Sequence, residues 1–179
     1  MRYIRKKMSD SKLSPVNKSI ILITCLGLLF GLILKLFVIE FLHVSGTSME
    51  NAIQDRSTVA VNKLAYGLVK PFSDSLLIQW KKPAVNDIVI YLYNNKIVVK
   101  RCIACEGQSL EYSENPVYTL KTGDKEIPLT ENQYLRFKDI PQVPEGYILA
   151  VGDNYGVSVD SRDYGFVSVK NVLGRVLCK

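Results

Sequence analysis

A single histidine, His43, is all the imidazole in this 179-residue chain. Metal sites built from several imidazoles are therefore excluded, and a Ser-His-Asp arrangement would have to use that one ring. Cysteine is also scarce: Cys25 lies in an apolar run, Cys102 and Cys105 form a C-x-x-C, and Cys178 is next to last. Four cysteines are too few to frame a fold of this length, and one C-x-x-C without a second pair is a weak zinc or thioredoxin signal. Side chains at i and i+3 of a strand face opposite sides, so Cys102 and Cys105 are expected to be separate buried small residues. No metal site is expected.

Excess charge is missing from most of the chain. Of the net +6, the first eighteen residues supply five, with Arg2, Arg5, Lys6, Lys7, Lys12 and Lys18 against only Asp10, and Lys35 supplies the sixth. The remainder, from Leu36 to Lys179, is balanced, which removes the main support for nucleic-acid binding. Internal repeats and low-complexity tracts are absent too.

What is present near the N-terminus is a long apolar run. The fifteen residues from Ile20 to Leu34 carry no charge, and the run continues past Lys35 to Ile39. About 20 residues at roughly 1.5 Å each cross a hydrocarbon core of about 30 Å, and Lys35 is near enough to the end to snorkel. The expected organisation is a basic cytoplasmic tail over 1–18, a transmembrane helix over 19–42, and an exported domain over 43–179, oriented by the positive-inside rule. A cleaved secretory signal peptide fits part of this pattern, with Val44 and Gly46 small enough for a cleavage site, but the apolar run is long for one. A buried core helix fits less well, because the run is apolar all round.

Beyond the helix, short runs of β-branched and aromatic residues predict strands over Ser57 to Asn62, Asp87 to Tyr93, Lys96 to Cys105, Tyr147 to Gly152 and Asn171 to Leu177. Turn formers lie between them, among them Asn86-Asp87, Asn94-Asn95, Glu106-Gly107 and Gly123-Asp124. The fold class is mainly β, an antiparallel and barrel-like domain behind one N-terminal helix. Leu68 to Pro83 is expected to be a loop, and a peripheral hairpin region is expected over about 106–144.

With His43 read as an interfacial or structural residue, another base is wanted. A lysine serves if burial penalises its ammonium form. On a strand, Val98, Lys100 and Cys102 share one face, so apolar neighbours flank Lys100. The segment VSGTSM, Val44 to Met49, puts Ser48 on a glycine-containing turn where backbone N–H groups can face a bound carbonyl. GDNYGVSVDSRDYG, Gly152 to Gly165, is rich in turn residues and hydroxyls.

These boxes, SGTSM, AVNKLAYG, NDIVIY, VVKRCIA and GDNYGVSVDSRDYG, stand in the order and spacing of type I signal peptidases, and the chain resembles that family from about Leu34 onward. The resemblance implies a membrane-bound serine endopeptidase that removes signal peptides from exported preproteins. It implies Ser48 as nucleophile, Lys100 as general base, Ser158 as the hydroxyl that orients the lysine, and Asp160 with Arg162 as a supporting ion pair. Gly46 matches a position where some relatives carry a serine hydroxyl for the oxyanion, which leaves backbone donors here. Val44, Met49, Ile53, Val98 and Val99 match the walls of pockets that accept small side chains before the cut.

The partners implied are signal-bearing preproteins, the lipid bilayer and a nearby secretion translocon; no cofactor and no nucleic acid are implied. The implied address is a bacterial cytoplasmic membrane, with the mitochondrial inner membrane as the alternative. Departures from the pattern are Asn51-Ala52 for Pro-Thr, Tyr155 for Arg, and CIACEGQ after Lys100-Arg101. Asn51, Ala52 and Tyr155 leave open a catalytically degenerate, membrane-anchored peptide-binding relative. Self-cleaving repressors share a Ser-Lys dyad, but they need a DNA-binding head and have no spanning helix.

Overall fold

The computed structural model describes residues 15–70 and 75–178. Most of the expected basic tail, including Arg2, Arg5, Lys6, Lys7 and Lys12, lies outside the described residues. The apolar run forms helix α1, Pro15–Ile33, followed by a π-helical turn, Leu34–Val38. Val16–Ile33 is long and apolar enough to cross a membrane, and none of it is buried inside the protein, so α1 is not a core helix.

The helix ends earlier than the expected residue 42. Ile39 is already extended, at φ −126° and ψ 135°, and Ile39–His43 is strand β1. All of β1 pairs antiparallel with β2, Thr58–Asn62, from Ile39 opposite Asn62 to His43 opposite Thr58. Pairing gives these backbone groups partners that a helix end leaves open, and Glu40 meets Lys63 across the pair at 3.2 Å. Apolar length alone could not locate this change.

Ten further strands follow among the described residues. They are β3 Gly67–Val69, β4 Leu76–Gln79, β5 Ile88–Tyr93, β6 Lys96–Cys105, β7 Glu111–Ser113, β8 Thr119–Thr122, β9 Lys125–Pro128, β10 Tyr147–Val151, β11 Val167–Ser168 and β12 Val172–Cys178. The main sheet is antiparallel in the order β1-β2-β12-β5-β6-β10-β11. Each strand expected from the sequence is present within a residue or two. The β5–β6 turn shows why: Asn94 and Asn95 both adopt positive φ, 49° and 59°, as a two-residue hairpin with the twist of its strands requires. That turn pairs Tyr93 with Lys96 and so places Lys100 opposite Val89.

Alternation along β5 and β10 feeds separate cores. Val89 and Tyr91 pack with Cys102, Ile148 and Ala150, whereas Ile90 packs with Val59, Val61, Met49 and Ile53. Leu149 and Val151 join Ile103 under the peripheral unit, in which β7-β8-β9 form a three-stranded sheet and helix α2, Glu131–Phe137, contributes Phe137. The region expected as a hairpin is thus a small sheet with a helix. Thr130 caps α2 in a reciprocal pair with Gln133, which stops the helix fraying into the loop.

Two local expectations are corrected. Residues 68–83 are not all loop, because β3 and β4 pair there. Gly67 permits this: a Cβ on it would lie 2.2 Å from the Ile78 carbonyl oxygen. The second concerns Cys102 and Cys105. The β6–β10 register runs Ala104 opposite Leu149 and then Cys102 opposite Ala150, so Ile103 is the extra residue of a β-bulge. A bulge resets strand alternation, and both sulfurs come to one side, 3.7 Å apart.

Gly67→Ala is expected to lower stability by about 1–3 kcal/mol, the cost of forcing extra volume into a closed contact. A thermal melt followed by circular dichroism checks this; an unchanged midpoint would show that the hairpin gives way freely.

Candidate active site

Ser48 lies in the connection between β1 and β2, which is folded tightly on itself. Ile53 N–H donates to the Met49 carbonyl at 2.6 Å, and Arg56 N–H donates to the Val44 carbonyl at 3.0 Å. Met49 and Ile53 are buried and anchor the turn, so Ser48 is held one residue before a fixed point. Gly46 has φ +111°, a conformation L side chains rarely adopt, and its N–H donates to Asp55 Oδ1 at 2.7 Å.

The serine loop is tied to the loop after β10. Asn154 N–H donates to the Ser48 carbonyl at 2.9 Å, and its side-chain amide donates to the Thr47 carbonyl at 3.2 Å. Asn51 Nδ2 donates to the Asp153 carbonyl at 2.9 Å, so one of the departures from the family pattern acts as a structural link. Gly152 is where the loops touch most closely. A Cβ there would meet Ser158 Oγ at 2.2 Å and the Ser48 carbonyl oxygen at 2.7 Å.

Lys100, in the middle of β6, is 3% exposed. Its Nζ donates to Ser158 Oγ at 2.9 Å. Burial holds the amine below the ordinary lysine value of 10.5, the nearby Asp160 carboxylate opposes that shift, and Arg162 reinforces it. Ser48 and Lys100 line one cavity of about 610 Å3.

Asp160 and Arg162 form a fully buried fork. Arg162 Nε and Nη2 each reach a carboxylate oxygen at 3.0 Å. Arg162 Nη1 also donates to the Pro128 carbonyl and Nη2 to the carbonyls of Tyr155 and Ser158, and Asp160 also accepts from Gly152 N–H at 3.0 Å. Every charge in this pair has partners, which is the condition for burying one without a large penalty. Asp160 further caps the one-turn helix α3, Ser161–Tyr164. The backbone around Ser158 is thus held from both sides.

The other expected residues fall as follows. Val44, Met49, Val98 and Val99 line the cavity, whereas Ile53 is in the core beneath Met49 and does not line it. His43 is exposed on β1 and lines the same cavity. Sequence reasoning missed the fork between Arg101 and Asp153, at 2.8 and 2.6 Å, which clamps the strand bearing Lys100 to the Gly152 loop. It also missed Val157 and Val159, exposed apolar side chains on the cavity wall to either side of Ser158. The only available signal was the alternation of Val-Ser-Val.

A family profile described as "Signal peptidase, peptidase S26" matches residues 17–179. The chain belongs to this peptidase family, as its sequence boxes implied. It is 28% identical over 160 residues to signal peptidase IB of Staphylococcus aureus (strain Mu50 / ATCC 700699), covering 78% of this chain and 76% of that protein. It is 26% identical over 133 residues to the chloroplastic thylakoidal processing peptidase 1 of Arabidopsis thaliana, covering 74% of this chain but 39% of that protein. Among solved structures, a signal peptidase I from Enterococcus faecalis V583 is 28% identical, covers 54% of this chain and 97% of that chain, and superposes with a TM-score of 0.39.

Two outcomes follow from the site. Gly152→Ala should abolish peptidase activity while the fold persists, read by precursor cleavage beside a circular dichroism melt; full activity would show that the two loops can separate. The second concerns pH. Below its lowered pKa the folded chain buries an ammonium, a cost that fades as pH rises toward 10.5, so this group makes stability climb with pH. Lys100→Met should therefore be at least as stable as the wild type at pH 7 and show a flatter rise above it in denaturant titrations.

Proposed function

We propose that this chain removes signal peptides from exported preproteins, with Ser48 as nucleophile and Lys100 as general base. The observation that carries the reading is a buried lysine amine, held on the Ser158 hydroxyl, on the wall of the cavity that Ser48 also lines. Burial draws the Lys100 amine toward its neutral form, the form that can accept a proton.

Neutral Lys100 takes the hydroxyl proton of Ser48 as the oxygen attacks the scissile carbonyl. The proton then passes to the leaving amine, and an acyl-enzyme remains on Ser48. Water activated by the same lysine releases the acyl group. The Ser48 backbone N–H serves the oxyanion, since the Gly46 N–H is engaged by Asp55.

The preprotein binds as an added strand. β10 pairs with β6 only from Arg101 to Cys105, so among the described residues no strand covers that edge of β6 from Lys96 to Lys100. An extended segment laid there gains main-chain hydrogen bonds. Small side chains at the first and third positions before the cut then face Val44, Met49, Val98 and Val99.

Helix α1 anchors the chain in a bacterial cytoplasmic membrane, with the N-terminus in the cytoplasm and the β domain outside, near the translocon. The apolar surface of α1 and the bacterial relatives support this address. Substrate and enzyme then meet at one depth in the bilayer, which reduces the search.

The test is cleavage of a precursor bearing a small-x-small site by the full chain in liposomes. Wild type should cut at that site, and Ser48→Ala and Lys100→Met should each lose several orders of magnitude in rate while remaining folded. An inert wild type that still binds the precursor would establish a degenerate peptide-binding protein instead. Activity retained in Lys100→Met would move the base to His43.

A further inference from the structure

The C-x-x-C pair takes no part in the chemistry above, yet the fold brings it together. Extended strand geometry separates i and i+3 by roughly 10 Å along the chain and points them apart. The Ile103 bulge cancels both effects, and Cys102 Sγ and Cys105 Sγ lie 3.7 Å apart on one side of β6. A disulfide requires an S–S distance of about 2.05 Å, so the sulfurs need to close by less than about 2 Å. Neither is engaged in a disulfide here.

We propose that Cys102 and Cys105 form a thiol–disulfide site, converted to an intramolecular disulfide by a low-molecular-weight or protein disulfide acting as oxidant. The two thiols are unequal. Cys102 is fully buried in the core, whereas Cys105 is partly exposed at the end of β6, with its Sγ 3.3 Å from the Pro83 carbonyl. Cys105 therefore meets the oxidant first. The hydrogen bond from Cys102 also draws the Cys105 thiol below its ordinary value, whereas Cys102 is pushed up.

The chemistry balances in two exchanges. Cys105 thiolate attacks one sulfur of the oxidant RSSR, which breaks the S–S bond, releases RS⁻ and leaves a mixed disulfide on Cys105. Cys102 then loses its proton and attacks Cys105 Sγ, which forms the internal bond and expels the second RS⁻. Two protein thiols are oxidised and one RSSR is reduced to two thiols.

The ring so formed spans the bulge and begins two residues from Lys100, on the same strand. It closes a short loop, so the expected gain in thermal midpoint is small, a few degrees. The site does not depend on the peptidase reading, and its readout is a count of sulfurs.

The experiment uses the full chain in detergent with Cys25→Ser and Cys178→Ser, which leaves only this pair. The protein is treated with oxidised glutathione, quenched in acid, and followed by thiol titration and intact mass. The expected result is loss of both free thiols, a mass about 2 Da below the reduced form, and no retained glutathione. With Cys102→Ser added, the reaction should stop with one glutathione held on Cys105. Persistence of both thiols, glutathione retained on the intact pair, or disulfide-linked dimers on a non-reducing gel would each overturn the proposal. If Cys102→Ser does not fold, Cys102→Ala serves the same purpose.

Discussion

A carboxylate buried beside a lysine stabilises the ammonium form, and the Arg162 half of the Asp160–Arg162 fork offsets part of that effect on Lys100. Asp160 has no exposed surface, and it draws the nearby amine toward its charged form. Arg162, bound to both carboxylate oxygens, draws the other way, so burial remains the largest influence on Lys100. The same pair holds the Ser158 carbonyl and the Gly152 N–H, so one neutralised charge pair controls both the electrostatics and the placement of the lysine's hydrogen-bond partner. If Arg162 were lost, an unpaired carboxylate would be left in the core, a far larger disturbance than breaking an exposed ion pair.

Around that pair the site is assembled from three segments distant in the chain: the turn after β1, the middle of β6, and the loop after β10. The links between them are short and mostly main-chain, from Asn154 to Ser48 and from Asn51 to Asp153, with the Arg101–Asp153 fork as the charged clamp. Gly152 makes the assembly possible because any side chain there would occupy the space of the Ser158 hydroxyl. The departures from the family pattern fit this arrangement. Asn51 supplies one of the links, and the Tyr155 ring lies under the Arg162 guanidinium, 5.5 Å from its centroid, while its carbonyl accepts from the same group.

β6 has three roles along its length. Among the described residues its first half leaves one edge open, its centre carries the lysine, and its last third is bulged against β10. The bulge ends regular pairing near the site and turns two cysteines that alternation would separate into neighbours. Local irregularity in one strand thus creates two chemically distinct positions within six residues.

The β class, the major strands and the membrane-length helix were legible from the sequence because each rests on local patterns: β-branched runs, Asn-Asn and Gly turns, and an unbroken apolar stretch. The five boxes around Ser48, Lys100 and Ser158 pointed to the peptidase family, and the family profile bears that out. Other features were not local. The end of the helix at β1 depends on pairing with β2, and the β3–β4 hairpin on a glycine contact across the turn. The approach of Cys102 to Cys105 depends on a register shift against β10. Ile53 looked like a pocket wall and is core, because which side of a turn faces the cavity is decided by what packs beneath it. The sequence by itself determined which residues could react and which segments could form strands; the tertiary structure decided which of them meet, because hydrogen-bond register and burial are properties of paired segments and not of any one of them.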